Sequence, residues 1–244
     1  MKIQVIKKED YNTFAARRIL SIIEKAVDSQ DHCTVALSGG STPKAIYDKM
    51  VSLQNEFDIN WRRVFFFWGD ERMVPGDSPD NNALMAQNHL LDHLPVPSSN
   101  IFPFRTELSL EAAASDMEEK LRNHLDVLST NSLDLVLLGL GDDGHTLSLF
   151  PGSYSLKVRD QWVYGYYVNP VLGERLTLLP ELVNNADQTI FLVRGSSKAN
   201  MVKKVLYSRH DVDTTPAQAI APVNGKLEWL LDEEAGAEVR ASNN

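Results

Sequence analysis

The residues able to do chemistry gather at three glycine-containing stretches. In Gly139-Leu140-Gly141-Asp142-Asp143-Gly144-His145-Thr146 an imidazole directly follows a glycine turn, with a carboxylate two residues before it. Histidine changes charge near neutral pH, which suits it to general acid–base work. Asp143 is close enough in sequence to orient the His145 ring or stabilise its charge, so His145 and Asp143 form the candidate catalytic pair. A capping or core histidine is the plainer alternative. His145, however, follows a turn and does not lie on an apolar helix face.

Two further stretches offer anion chemistry. Ser38-Gly39-Gly40-Ser41-Thr42-Pro43 presents backbone N–H groups unobstructed by Cβ, two hydroxyls, and a helix start just beyond. Such a turn can cradle a phosphate or carboxylate. No Gly-Lys-Ser/Thr follows, so it is not a P-loop. An ordinary strand-to-helix turn capped by Ser41 or Thr42 is the alternative. Arg72 follows Asp70 and Glu71, either as part of a solvated charge cluster or as a bidentate anion contact oriented by a carboxylate. Lys198, at a helix start after Gly195-Ser196-Ser197, could supply a second cation.

Gly139 to Gly144 also matches Gly-x-Gly-x-x-Gly, the dinucleotide fingerprint. Asp160 lies about the right distance beyond, but that acid should close the next strand, and Asp160 precedes the apolar run at Trp162. Pro151 also limits the helix the third glycine should open. A nucleotide is therefore not expected. His89 and His93 are four apart with nothing nearby to complete a zinc set, so neither metal nor cofactor is expected.

The positioning elements follow from the apolar pattern. Cys33–Leu37, Val64–Trp68, Leu135–Leu138 and Thr189–Val193 are short apolar runs, read as buried strands, although a buried helical turn is also open for Leu135–Leu138. Trp162–Val168 and Arg175–Leu178 are further strand candidates. Helical spacing covers 12–28, a segment from Pro43 to about Leu53, one after Asn81 through Leu94, and 109–128 with Ser109 as N-cap; Pro180–Asn185 reads as a helical turn. Met73–Asn81 reads as a loop, the pattern after Ala219 is ambiguous, and the last ten residues look frayed. Strands alternating with helices predict a mostly parallel sheet covered on both faces, with the three glycine loops converging at one edge.

The 244 residues contain no repeat or long linker, which favours a single domain over 1–244. A net charge of −9 argues against a nucleic-acid or anionic-membrane partner but not against an anionic small molecule. No stretch reaches the roughly 18 apolar residues of a membrane span and the N-terminus lacks a signal-peptide core, so a cytoplasmic protein is expected. The lone Cys33 excludes an intramolecular disulfide and fits a small core residue.

Taken in order, SGGSTP, WGDERMVP and GLGDDGHTLSLFPG resemble the 6-phosphogluconolactonase family, itself related to the glucosamine-6-phosphate deaminases. Toward the end, Gly195-Ser-Ser-Lys198-Ala resembles the family's Gly-x-x-Lys-Ala segment, and Arg175-Leu-Thr177 its Arg-x-Thr segment. The resemblance implies a three-layer α/β/α sandwich around a mostly parallel, modified Rossmann-like sheet, similar to the NagB/RpiA/CoA transferase-like fold. It implies hydrolysis of 6-phospho-D-glucono-1,5-lactone, a phosphorylated sugar lactone, in a monomer or homodimer. By match, His145 activates water, while Gly39, Gly40, Ser41, Thr42, Asp70, Arg72, Lys198 and, less closely, Arg175 hold the substrate. The deaminases typically carry Asp-Glu-Tyr where Asp70-Glu71-Arg72 stands, and Asn-Glu-Pro where Leu149-Phe150-Pro151 stands. Both differences favour the lactonase over a deaminase. A sugar-phosphate sensor is the non-catalytic alternative, but no room is left for a DNA-binding domain.

Overall fold

The computed structural model describes residues 1–240. In chain order its elements are β1 (Lys2–Ile6), α1 (Tyr11–Gln30), β2 (Cys33–Leu37), α2 (Ser41–Leu53), β3 (Val64–Trp68), β4 (Asp70–Arg72), α3 (Asn82–His89), α4 (Leu110–Val127), β5 (Leu135–Leu138), β6 (Val163–Asn169), β7 (Gly173–Leu178), α5 (Pro180–Val183), β8 (Gln188–Val193), α6 (Ala199–Tyr207), β9 (Lys226–Asp232) and α7 (Ala237–Arg240).

Six strands form one parallel sheet in the order β1-β9-β8-β5-β2-β3. All residues of β2 and β5 are buried, and only Phe65 of β3 is partly exposed. Strands covered on both faces read as continuous apolar runs, which is why these stood out in the sequence. The helices flank the sheet: right-handed crossovers put α1 and α2 on one face, α4 and α6 on the other. Cys33 is a buried free thiol, pushed well up by burial. Ser109 caps α4, its hydroxyl accepting from the Ala112 N–H at 3.3 Å.

Several expectations are corrected. The edge strand β1 and the strand β9 carry no clear signal, because β1 is short and part-exposed and β9 mixes Lys226, Glu228 and Asp232 with apolar residues. Asp70–Arg72 forms a strand, and β4, β7 and β6 make a separate antiparallel sheet. α2 starts at Ser41, two residues before Pro43, with Gly40 as its N-cap and no side-chain cap bond, so neither Ser41 nor Thr42 caps it. α3 stops at His89, short of Leu94. Lys198 closes a single turn, Ser196–Lys198, ahead of α6. Ala237–Arg240 is helical, with Ala235 and Val239 buried, so part of the supposedly frayed end is packed; 241–244 lie outside the described residues.

From β2 the chain moves outward to β3, then returns to the other side of β2 as β5. Connections leaving β2 and β5 therefore diverge, and the crevice at their carboxyl ends is where open α/β sheets bind ligands.

Candidate active site

At that crevice lies a cavity of about 260 Å³. Gly39, Gly40, Ser41 and Thr42 line it from the β2–α2 turn, and His145 lines it from the loop after β5. Asp70 and Arg72 enter from β4, and Lys198 from the turn after β8. Eight of the ten residues picked from the sequence thus share one cavity. Asp143 stands behind His145, and Arg175 is absent from the lining.

Asp143 Oδ1 lies 2.6 Å from His145 Nδ1 and also accepts the His145 backbone N–H at 3.0 Å. An ionised carboxylate only accepts, so Nδ1 carries the proton and Nε2 is left with a lone pair. Nε2 has no partner among the described residues. The Phe150 ring packs on the imidazole at 4.5 Å between centroids. Gly141 donates its N–H to the His145 carbonyl at 2.8 Å, and Thr146 Oγ1 donates to the Gly139 carbonyl at 2.8 Å, closing the loop on itself. Leu147 takes a left-handed φ of 53°, uncommon for a branched side chain, and packs against Gly69.

The β2–α2 turn depends on its glycines for two separate reasons. Gly40 has φ 98°, open to glycine at little cost. A Cβ on Gly39 would collide with the Asn82 side chain, which also lines the cavity. Beyond Gly40 the 13-residue α2 points its N-terminal end at the cavity, favouring an anion there.

Arg72 is placed by its neighbour. Glu71 is fully buried and accepts the backbone N–H groups of Arg72 (2.8 Å), Asn82 (2.8 Å) and Ala83 (2.9 Å). It thereby ties β4 to the start of α3. Burial outweighs those three bonds and pushes the Glu71 carboxyl up to about 7. Asp70 accepts the Ser148 hydroxyl at 2.7 Å, linking β4 to the histidine loop. Arg72 faces Arg175 across the β4–β7 pair, where burial first and then the Arg72 charge lower the Arg175 pKa. Neither arginine has a carboxylate ion pair among the described residues.

Lys198 Nζ is 2.6 Å from Asp142 Oδ1, and this contact, above all, holds the Asp142 carboxyl below its usual range. The sequence reading missed three members of this site. Asp142 lies beside Asp143, which is nearer the histidine in sequence, Asn82 has no glycine motif around it, and Arg194 stands directly before the Gly195 turn that leads to Lys198. Among the described residues no group of three or more His, Cys, Asp or Glu could hold a metal ion, and no helix is long and apolar enough to cross a membrane. The dinucleotide reading finds no support, since no helix begins at Gly144 and Asp160 precedes β6.

A family model described as glucosamine-6-phosphate isomerases/6-phosphogluconolactonase matches residues 7–229. The chain belongs to that family. Within it, a 6-phosphogluconolactonase of Synechocystis is 38% identical over 228 residues, covering 89% of each chain. The solved 6-phosphogluconolactonase of Trypanosoma brucei superposes with a TM-score of 0.81 at 31% identity, covering 98% of both chains. A monomeric glucosamine-6-phosphate deaminase shares the fold, with a TM-score of 0.82 at 21% identity. The α/β architecture expected from the motifs is that of these family members.

Proposed function

We propose that the protein hydrolyses 6-phospho-D-glucono-1,5-lactone to 6-phosphogluconate, with His145 as the base that activates water. The observation that carries this reading is the Asp143–His145 pair at 2.6 Å on the wall of a cavity rich in cations. Kinship with chains named 6-phosphogluconolactonase supports the substrate.

A δ-lactone is already electrophilic, so general base catalysis suffices, contributing roughly 10²–10⁴ in rate. His145 Nε2 takes a proton from water while the water oxygen bonds to the lactone carbonyl carbon. The tetrahedral intermediate then expels the ring oxygen, which receives that proton from the imidazolium. Asp143 holds the ring tautomer throughout and stabilises its transient positive charge. The Gly39–Thr42 turn, Arg72 and Lys198 hold the phosphate end, with Asp70 bracing the wall and Arg175 adding positive charge from the neighbouring strand. Binding energy from the remote phosphate orients the carbonyl toward the water.

Phe150 argues against deamination. Its ring rests on the imidazole at the place where the deaminase motif carries a glutamate, so no second acid stands beside His145 from that side. The purified protein should accelerate lactone disappearance above the spontaneous rate and release no ammonia from glucosamine 6-phosphate. Ammonia release without lactone turnover would reverse the assignment. We further propose that the chain acts on this small molecule in the cytoplasm.

A further inference from the structure

We infer that Arg194 is a substrate-contacting residue that selects for the phosphorylated lactone, acting beside Lys198; this rests on the lactonase reading. Arg194 directly follows β8 and lines the same cavity as His145 and Lys198.

Its surroundings are those of a side chain held for use. Nη1 donates to Asn12 Oδ1 at 3.0 Å, and the guanidinium carbon stands 5.4 Å from the centre of the Tyr11 ring. Asp232 Oδ2 is 3.7 Å from Nε, too long for a good hydrogen bond. Arg194 is the one cation within ion-pair distance of Asp232 among the described residues. The buried Asp232 carboxylate also accepts the backbone N–H groups of Gly195 (3.0 Å) and Ala235 (2.8 Å). A purely structural arginine would spend its donors on the protein. Arg194 makes one hydrogen bond among the described residues, out of five N–H donors. Arg194 lines the cavity, its guanidinium is held by α1 and β9, and its remaining N–H donors make no hydrogen bond among the described residues.

Of the two cations already assigned to the phosphate end, Arg72 gives Nη1 to the Asp80 carbonyl, and Lys198 is poorly equipped to discriminate. It is a point charge already engaged by Asp142 at 2.6 Å. A guanidinium fork adds the planar, bidentate match to phosphoryl oxygens that an ammonium lacks.

The test compares wild type, Arg194→Met and Arg194→Lys on 6-phosphoglucono-1,5-lactone and on unphosphorylated glucono-1,5-lactone, with 6-phosphogluconate binding measured by calorimetry. Arg194→Met should raise KM for the phosphorylated lactone about 10- to 100-fold, the loss of a charge-assisted contact, with kcat little changed. KM for the unphosphorylated lactone should stay put, and Arg194→Lys should fall between. An unchanged KM for the phosphorylated substrate in a folded variant, or equal losses on both substrates, would overturn the inference. If Arg194→Met does not fold, Arg194→Lys carries the same test, since it keeps a cation near Asp232. If wild type turns over neither lactone, the lactonase reading fails. The calorimetry still decides on Arg194, with weaker 6-phosphogluconate binding supporting it and unchanged binding refuting it.

Discussion

Gly141 leaves the space that the His145 imidazole fills. A Cβ built on Gly141 would collide with Nδ1 and Cε1 of that ring and stand 2.6 Å from Asp143 Oδ1. The backbone of Gly141 is not left-handed, so alanine meets no conformational penalty there, only the ring. Gly141→Ala should therefore displace His145 while sparing the fold. Steady-state kinetics should show kcat reduced about 100-fold, as expected for a catalytic group misplaced by about an ångström, with KM and Tm near wild type.

Asp143 is expected to set the imidazole tautomer. In wild type, nitrogen NMR should find His145 Nδ1 protonated and Nε2 bare. Asp143→Asn should mix the tautomers and lower kcat by about 10- to 100-fold. That loss is milder than for a fully buried catalytic aspartate, because this carboxylate is half exposed. A variant with wild-type kcat would make Asp143 dispensable.

Glu71 gives the protein a pH-dependent element away from the reacting atoms. Its folded pKa, about 7, lies above that of an unfolded carboxyl. The folded state thus binds the extra proton between those values. The stability from neutral Glu71 is complete below the unfolded value and is lost as pH rises through about 7, at up to about 1.4 kcal/mol per pH unit. Urea midpoints between pH 5 and 8 should fall with pH in wild type and fall less in Glu71→Gln. The same substitution should raise KM several-fold, because Arg72 and Asn82 both hang from this carboxylate.

Asp142 competes with substrate for Lys198. The pair is largely exposed on the Asp142 side and so worth no more than about 1 kcal/mol. Asp142→Asn should lower KM for the phosphorylated lactone by a few-fold, an advantage that shrinks as salt is added. A raised KM would instead mean that Asp142 holds Lys198 in place.

The motifs made most of the site legible because its loops leave strands buried on both faces. Such strands as β2 and β5 announce themselves as unbroken apolar runs, and the glycine turns at their ends are hard to miss. What stayed hidden was set by tertiary pairing. β9 is a strand because it borders β8, and β1 because it borders β9, not because of their own periodicity. Asp70–Arg72 becomes a strand only by pairing with β7 across more than 100 residues, which also brings Arg175 beside Arg72 and away from the cavity lining. Asn82 stands in a polar stretch and Arg194 at the end of an apolar run, neither with a motif of its own, and only the fold puts them at the cavity.

The most direct measurement is the initial rate of 6-phosphoglucono-1,5-lactone hydrolysis by wild type and by His145→Ala, at a pH where the spontaneous reaction is slow. Wild type should turn the lactone over, and His145→Ala should lose about 10²–10⁴ in kcat while keeping its circular dichroism and Tm. A folded His145→Ala protein with undiminished kcat would contradict the assignment of the base.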